Sequence, residues 1–368
     1  MARMVHMPEQ EQPEKPAFDD QSDGHPPPQG AAGNGSAKVW TFAAICAVCA
    51  VFATGYILRF TKNGASGAPT APAASASDLQ AVLAKPHVFF AESGGSPLID
   101  YPLAIAALSA PDGAHLQAGF TCQRVYVAAG EGLCLTLGHQ SSAAKAFIFD
   151  SDFKVIHALS PVGIPSRARI SSDGRYGSMT YFVTGDSYAV GSQFSTRTTI
   201  VDMHTGNVVA NLEDFTVHRD GQEFHLADFN FWGVTFAQDS NHFYATLASG
   251  GKTYLVAGDV AGREMHTLGV ENVECPSLSP DNQRIVFKKR IADGPPTVWR
   301  LTVLDLKTMR ETPLTETRSV DDQAEWLDNN HVLYTPTTQK PATWSVPADG
   351  SGQPQLFAAG VVSPSVVH

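Results

Sequence analysis

Charge is scarce in this chain, and positive charge scarcest: 17% of its 368 residues are charged, with 25 Lys and Arg against 36 Asp and Glu and a formal net charge of −11. From Pro86 onward 19 basic residues face 29 acidic ones with no basic stripe. Binding to a phosphate backbone needs clustered Lys and Arg, so nucleic acid is excluded as an expected partner. No Walker loop, Rossmann glycine pattern or kinase motif occurs, and no cofactor is expected. The run Gly185-Asp-Ser187-Tyr-Ala189 falls one residue short of a nucleophile elbow and has no following helix. His218-x6-His225-x2-Asp228 matches no common zinc spacing. The chain therefore reads as a non-enzyme without a metal site. Long 3.6-period stretches are also missing after residue 87, which excludes a helical domain there.

What is present begins with a tail. Residues 1–38 hold six acidic and three basic residues and the run Pro26-Pro27-Pro28, with few large apolar side chains; such a composition does not offset the entropy of ordering and predicts a disordered, cytoplasmic segment. Val39 to Leu58 is then a run of 20 residues without a charge, between Lys38 and Arg59. At ~1.5 Å per residue it spans a ~30 Å hydrocarbon layer, and Trp40 and Tyr56 lie where rings favour the headgroups. A transmembrane helix at 39–58 is expected, with a cleaved signal peptide as the weaker alternative. Cys46 and Cys49 read as packing residues within it. Lys38 on one flank and Arg59 and Lys62 on the other leave orientation undecided by charge. The cysteine pattern places the C-terminal side outside the cytoplasmic membrane, extracellular or periplasmic. Residues 59–86, rich in Ala, Gly, Ser and Pro, read as a flexible linker.

From residue 87 to 368 the chain consists of short Val-, Phe-, Tyr-, Ile- and Thr-rich strands separated by Gly, Asp, Asn and Pro turns. Two strand–turn–strand elements alternate. One carries Asp173, Asp239, Asp281 and Asp328; the other carries Asp150, Asp202, Asp259 and Asp305 at intervals of 52, 57 and 46 residues. Two hairpins per ~45 residues is the arithmetic of a four-stranded propeller blade, and the aspartates read as turn caps. The predicted fold is all-β: a six-bladed β-propeller of four-stranded antiparallel blades, at 121–164, 165–213, 229–270, 271–315, 320–358, and 87–120 joined by 360–368. The last assignment rests on Val361-Val-Ser-Pro364-Ser-Val-Val367, which repeats the start of a blade and would close the ring.

Segments such as Cys275-Pro-Ser-Leu-Ser-Pro-Asp-Asn-Gln-Arg-Ile-Val-Phe287, followed by a strand ending Asp305-Leu-Lys-Thr, resemble the repeats of TolB-like propellers across residues 87–368. The likeness is clearest in the fifth blade. The sixth has Leu327-Asp328-Asn329 in place of Ser-Pro-Asp-Gly, and no separate N-terminal domain of the periplasmic TolB type is visible.

Cys122 and Cys134 flank Gln123–Leu133 symmetrically about Ala128, which predicts a cross-strand disulfide and leaves Cys275 unpaired. Insertions into the repeat fall at 92–102, 184–198, 214–230 and 288–297. All four join strands two and three of a blade or one blade to the next, so they emerge on one rim, the usual place for binding in repeat proteins. Tyr101, Asp186, Tyr188, Phe194, His218, Arg219, His225, Asp228, Phe229, Trp232, Lys289 and Arg290 are the candidate partner-binding residues. The expected function is a membrane-anchored extracytoplasmic binding or scaffold module for a protein, peptide or envelope polymer. The alternatives are a sensor signalling through the tail and a metal-dependent propeller hydrolase or lactonase.

Overall fold

In a computed structural model of the chain, residues 75–93, 99–137, 145–183, 195–294, 296–338 and 340–368 are described. The tail, the apolar run 39–58 and residues 59–74 lie outside them, and among the described residues no helix is long and apolar enough to cross a membrane.

The strands form six sheets, each built on four antiparallel strands that follow the chain order except in blade one. Blade two is Arg124–Ala128, Glu131–Thr136, Lys145–Phe149 and Val155–Leu159; blade three is Ile164–Ile170, Tyr176–Val183, Ser195–Asp202 and Val208–Asn211. Blade four is Asn230–Phe236, His242–Ser249, Lys252–Asp259 and Glu264–Glu271; blade five is Val273–Leu278, Arg284–Ala292, Val298–Asp305 and Glu311–Pro313. Blade six, Glu325–Trp326, His331–Tyr334, Ala342–Pro347 and Gln355–Ala359, has an inner strand of two residues. Blade one takes His87–Glu92, Tyr101–Ala107 and Leu116–Cys122 from the start of the domain and Val361–Val367 from its end, in the order last, first, second, third. The ring thus closes as expected, with His87 opposite Val367 and Phe89 opposite Ser365.

The repeated aspartates shape the turns. Asp173 accepts the Arg175 N–H at 2.9 Å, Asp281 that of Gln283 at 3.1 Å, and Asp328 that of Asn330 at 2.6 Å. In the alternate turn Asp202 and Asp305 each take the backbone N–H three residues on, at 2.8 and 2.7 Å. These bonds offer the backbone a turn in place of a continued ladder. Apolar strands such as Ile285-Val286-Phe287, fully buried, fill the space between neighbouring blades. Buried hydroxyls stitch the blades: Thr246 Oγ1 of blade four accepts the Cys275 N–H at 2.9 Å, and Thr198 Oγ1 of blade three donates to Phe231 O at 2.6 Å. Gly233 has φ +66°, and a Cβ there would lie 2.6 Å from Cys275 Cα, so blades four and five approach at a position only glycine can occupy.

Three expectations change in detail. Residues 76–83, read as part of a flexible linker, form a helix, Ala76–Leu83, with Ser75 as N-cap accepting the Asp78 N–H at 3.2 Å. Leu79, Val82 and Leu83 pack on the core between blades one and two; their i, i+3, i+4 spacing was hidden in an Ala- and Ser-rich context. Residues 214–230 are not simply a rim loop. Thr216–Arg219 adds to the outer edge of blade four, parallel to Glu264–Glu271, and turns back through Gln222–Glu223. Phe215 and Val217 are buried by that addition, which the blade repeat gives no reason to expect.

The third change concerns the disulfide. Cys122 and Cys134 are bonded, with Cα atoms 5.5 Å apart, but not across a hairpin. The hairpin register places Cys134 opposite Val125, and Cys122 ends the outer strand of blade one. The bridge therefore staples blade one to blade two. Closing a short loop, it is expected to contribute about 2–4 kcal/mol. Mass mapping of protein alkylated without reductant should show the bridged peptide, and reduction should lower the melting temperature by several degrees. Full alkylation of both thiols in the folded, unreduced protein would remove the bridge and with it the argument for an oxidising compartment.

Candidate functional site

Antiparallel order fixes the two faces. Turns between strands one and two and between three and four lie on one face; connections between strands two and three, and from blade to blade, lie on the other. The Asp-capped turns occupy the first face. The second carries the insertions.

At the centre, contacts join blades that are not neighbours, so they cross the axis. Arg169 of blade three reaches Glu325 of blade six, diametrically opposite, at 2.7 Å, and donates to Ala324 O at 2.6 Å and to Ser277 Oγ of blade five at 3.1 Å. Tyr126 of blade two donates to Glu325 at 3.3 Å, and its ring lies under the Arg169 guanidinium, 4.5 Å away. Arg167 approaches Asp322 at 3.6 Å and bonds to the thiol of Cys275 at 3.4 Å. Lys288 pairs with Glu274 at 3.2 Å and with Asp321. Gln323, in the lead-in to blade six, donates to Val234 O of blade four at 3.2 Å and Pro276 O of blade five at 2.8 Å. Burial pushes the Glu325 carboxyl up, with Arg169 pulling it back, and pushes Glu274 up, with Lys288 opposing. A network of buried ion pairs and hydrogen bonds thus spans the axis.

That network was missed in the sequence. Its signal is there: Arg167 and Arg169 alternate in an inner strand, where period two puts both on one face, and Asp321-Asp322-Gln-Ala-Glu325 supplies the opposite charge.

Two clefts open on the insertion-bearing face. One, of about 370 Å³, lies between blades three and four and is lined by Arg197, Asn211, Glu213, Phe229 and Asn230 among others. Burial raises the Glu213 carboxyl to about 7, against the Thr198 N–H that it accepts at 3.0 Å. The other, of about 320 Å³, lies between blades four and five, with Asp228, Asn230, Trp232, Thr253, Arg290 and Trp299 in its walls. Asn230 borders both.

The candidate residues are distributed as follows. Asp228, Trp232 and Arg290 meet in the second cleft and Phe229 lines the first. Asp228 caps a turn, accepting the Gly250 N–H at 2.6 Å and Ser249 Oγ at 2.7 Å; burial pushes its carboxyl up, but these bonds hold it below the usual range. His218 and Arg219 lie on the added edge strand, Arg219 over the rings of Phe224 and Tyr254 at 5.5 and 5.1 Å. His225 is exposed and packs on Phe229, centroids 5.5 Å apart. Lys289 pairs with Glu311, and Tyr101 is buried in blade one. Asp186, Tyr188 and Phe194 lie outside the described residues. Among the described residues no three His, Cys, Asp or Glu side chains gather as a metal-binding group.

Exposed apolar surface is uneven. Of the eleven large apolar side chains exposed among the described residues, Ile99, Val162, Ile164, Phe182, Leu226 and Ile291 all belong to the insertion-bearing face, Ile164 and Phe182 as register partners. Met309 alone lies in an Asp-capped turn; the other four are on outermost strands.

No protein-family model matches the chain, and no curated protein matches its sequence. Solved structures do match in fold. TolB from Acinetobacter baumannii superposes with a TM-score of 0.56 at 15% identity, over 77% of this chain and 67% of that one. A chain from the crystal structure of a nidogen–laminin complex gives 0.52 at 11% identity, over 76% of this chain and 98% of that one. At these identities the likeness establishes the fold: a six-bladed β-propeller structurally similar to TolB.

Proposed function

We propose that the protein is a membrane-anchored binding module of the cell envelope, held by residues 39–58 with its propeller outside the cytoplasmic membrane, and that it binds a protein partner on the insertion-bearing face. One observation carries the reading: among the described residues six of the eleven exposed large apolar side chains lie on the insertion-bearing face, which also holds two clefts, against one in an Asp-capped turn. Apolar surface bordered by polar groups marks interaction sites more often than it serves a monomer. The network across the axis suits a platform, since it ties blades together and gives the rim a rigid base.

The test uses the full chain, tagged at its C-terminus and expressed in its own host, with partners captured after mild crosslinking. Ile164→Ser/Phe182→Ser and Trp299→Ala should each weaken capture of the same partner by about 1–4 kcal/mol in a binding assay while the melting temperature stays nearly constant, as truncated interface anchors do. Met309→Ser, on the other face, should leave capture intact. Loss of the partner in Met309→Ser with retention in the first two variants would place binding on the opposite face.

A further inference from the structure

We infer that the cleft between blades four and five is a carboxylate-binding site, which reads an acidic group of the partner protein presented beside an apolar side chain. The inference rests on the assignment of binding to this face. Arg290 and Trp299 are register partners on adjacent strands of blade five, so their side chains leave the sheet on the same side. Lys288, two residues before Arg290, shares that side and holds its ammonium 4.3 Å from the Trp299 ring centre. The two cations differ in one respect. Lys288 is consumed by Glu274 and Asp321, whereas the Arg290 guanidinium makes no hydrogen bond among the described residues. Its nearest carboxylate, that of Asp293, is 3.7 Å away and 88% exposed.

The opposite wall belongs to blade four. Trp232 supplies apolar surface there, and Thr253, only 3% exposed, has a buried hydroxyl without a hydrogen-bond partner. Buried hydroxyls are ordinarily paired, so one without a partner, lining the same cleft as a guanidinium whose ion pair with Asp293 is long and solvent-exposed, is a recognition feature. The resident acids of the cleft already have hydrogen-bonding partners. Asp228 is taken by Ser249 and Gly250, and Glu274 by Lys288. An incoming carboxylate supplies what both groups lack: two coplanar oxygens for the guanidinium fork, with lone pairs left for a hydroxyl. At about 320 Å³ the cleft has room for one side chain and its backbone rather than a folded element. The two indoles favour an apolar or ring-bearing residue beside the acid.

The experiment titrates the full chain in detergent micelles with three small probes, followed by tryptophan fluorescence: N-acetylphenylalanine, which carries a terminal carboxylate; N-acetylphenylalanine amide; and N-acetylphenylalanyl-aspartic acid α-amide, whose only carboxylate is a side chain. At least one carboxylate probe should bind about tenfold or more tighter than the neutral amide, as a charge-assisted hydrogen bond requires, and the stronger of the two identifies whether a chain terminus or an acidic side chain is read. Arg290→Gln should abolish that preference at unchanged melting temperature, and Arg290→Lys should restore only part of it, since a point charge lacks the fork. Equal binding of all three probes by the wild-type chain, or a preference retained in Arg290→Gln, overturns the inference. Partner capture lost on the rim variants while no probe discriminates would leave the binding face standing and this site refuted; discrimination without any captured partner would do the reverse.

Discussion

Truncation after Val362 is expected to lower the melting temperature by more than 10 °C, whereas removal of His368 alone should change it little. The last strand is the innermost of blade one. Without it, Val88 and Phe89, which are 0% and 2% exposed, lose the strand that covers them. Ser365, whose hydroxyl accepts the Val127 N–H of blade two at 2.9 Å, goes with it, and so does Val366, whose N–H supports Glu325 in the channel. Re-exposure of two large side chains and several buried polar groups left unpaired amounts to about 5 kcal/mol or more. In a domain of this size each kcal/mol corresponds to roughly 2–4 °C. The open sheet edge would also favour association, so the truncated chain should aggregate on heating at lower concentration than the intact one. Calorimetry on both truncations decides the matter: overlapping melting curves would mean that the ring is held shut elsewhere.

The second large effect is expected at the axis. Arg169→Leu leaves the Glu325 carboxyl buried with Tyr126 as its main remaining side-chain partner, and Glu325→Leu leaves the Arg169 guanidinium 7% exposed and without its counter-charge. Each single change should cost about 3–5 kcal/mol, because an uncompensated buried charge is far more costly than a missing pair. The double change to leucine should recover most of that loss, since the desolvation penalty disappears along with the attraction. Thermal unfolding of the two single variants and the double variant forms a complete cycle. Additive losses in the double variant would show that Arg169 and Glu325 act independently and that the axial network is not a coupled unit. High salt should leave the single-variant losses unchanged, as both groups lie beyond the reach of solvent screening.

The blade pattern was legible because its causes are local. An aspartate that caps a turn does so through backbone groups two or three residues away, as Asp173 and Asp202 do, so its spacing in the chain reports the hairpin directly. The closing strand was legible for a related reason: Val361–Val367 repeats a motif whose place in a blade was already known. The disulfide shows the limit of such reasoning. Symmetry about Ala128 suggested the right pair, yet the residues that face each other across that hairpin are Val125 and Cys134, and the bond in fact joins two blades. Proximity in sequence and proximity in space coincided there for a reason the linear pattern does not contain.

Alternation, turn chemistry and repeat length sufficed for the architecture, the two faces and the seam, since each depends on interactions within a hairpin or between copies of it. The edge strand Thr216–Arg219, the axial network and the carboxylate cleft depend instead on residues far apart in the chain. Arg169 and Glu325 are separated by 156 positions and become neighbours only when six blades close around one axis. Charge at such positions looks like ordinary surface charge in the sequence, because burial is a property of the assembled ring. Likewise, nothing local distinguishes Arg290, whose ion pair with Asp293 is solvent-exposed, from Lys288, which is buried between two acids; only the packing of blade five against blades four and six decides which cation meets a buried acid.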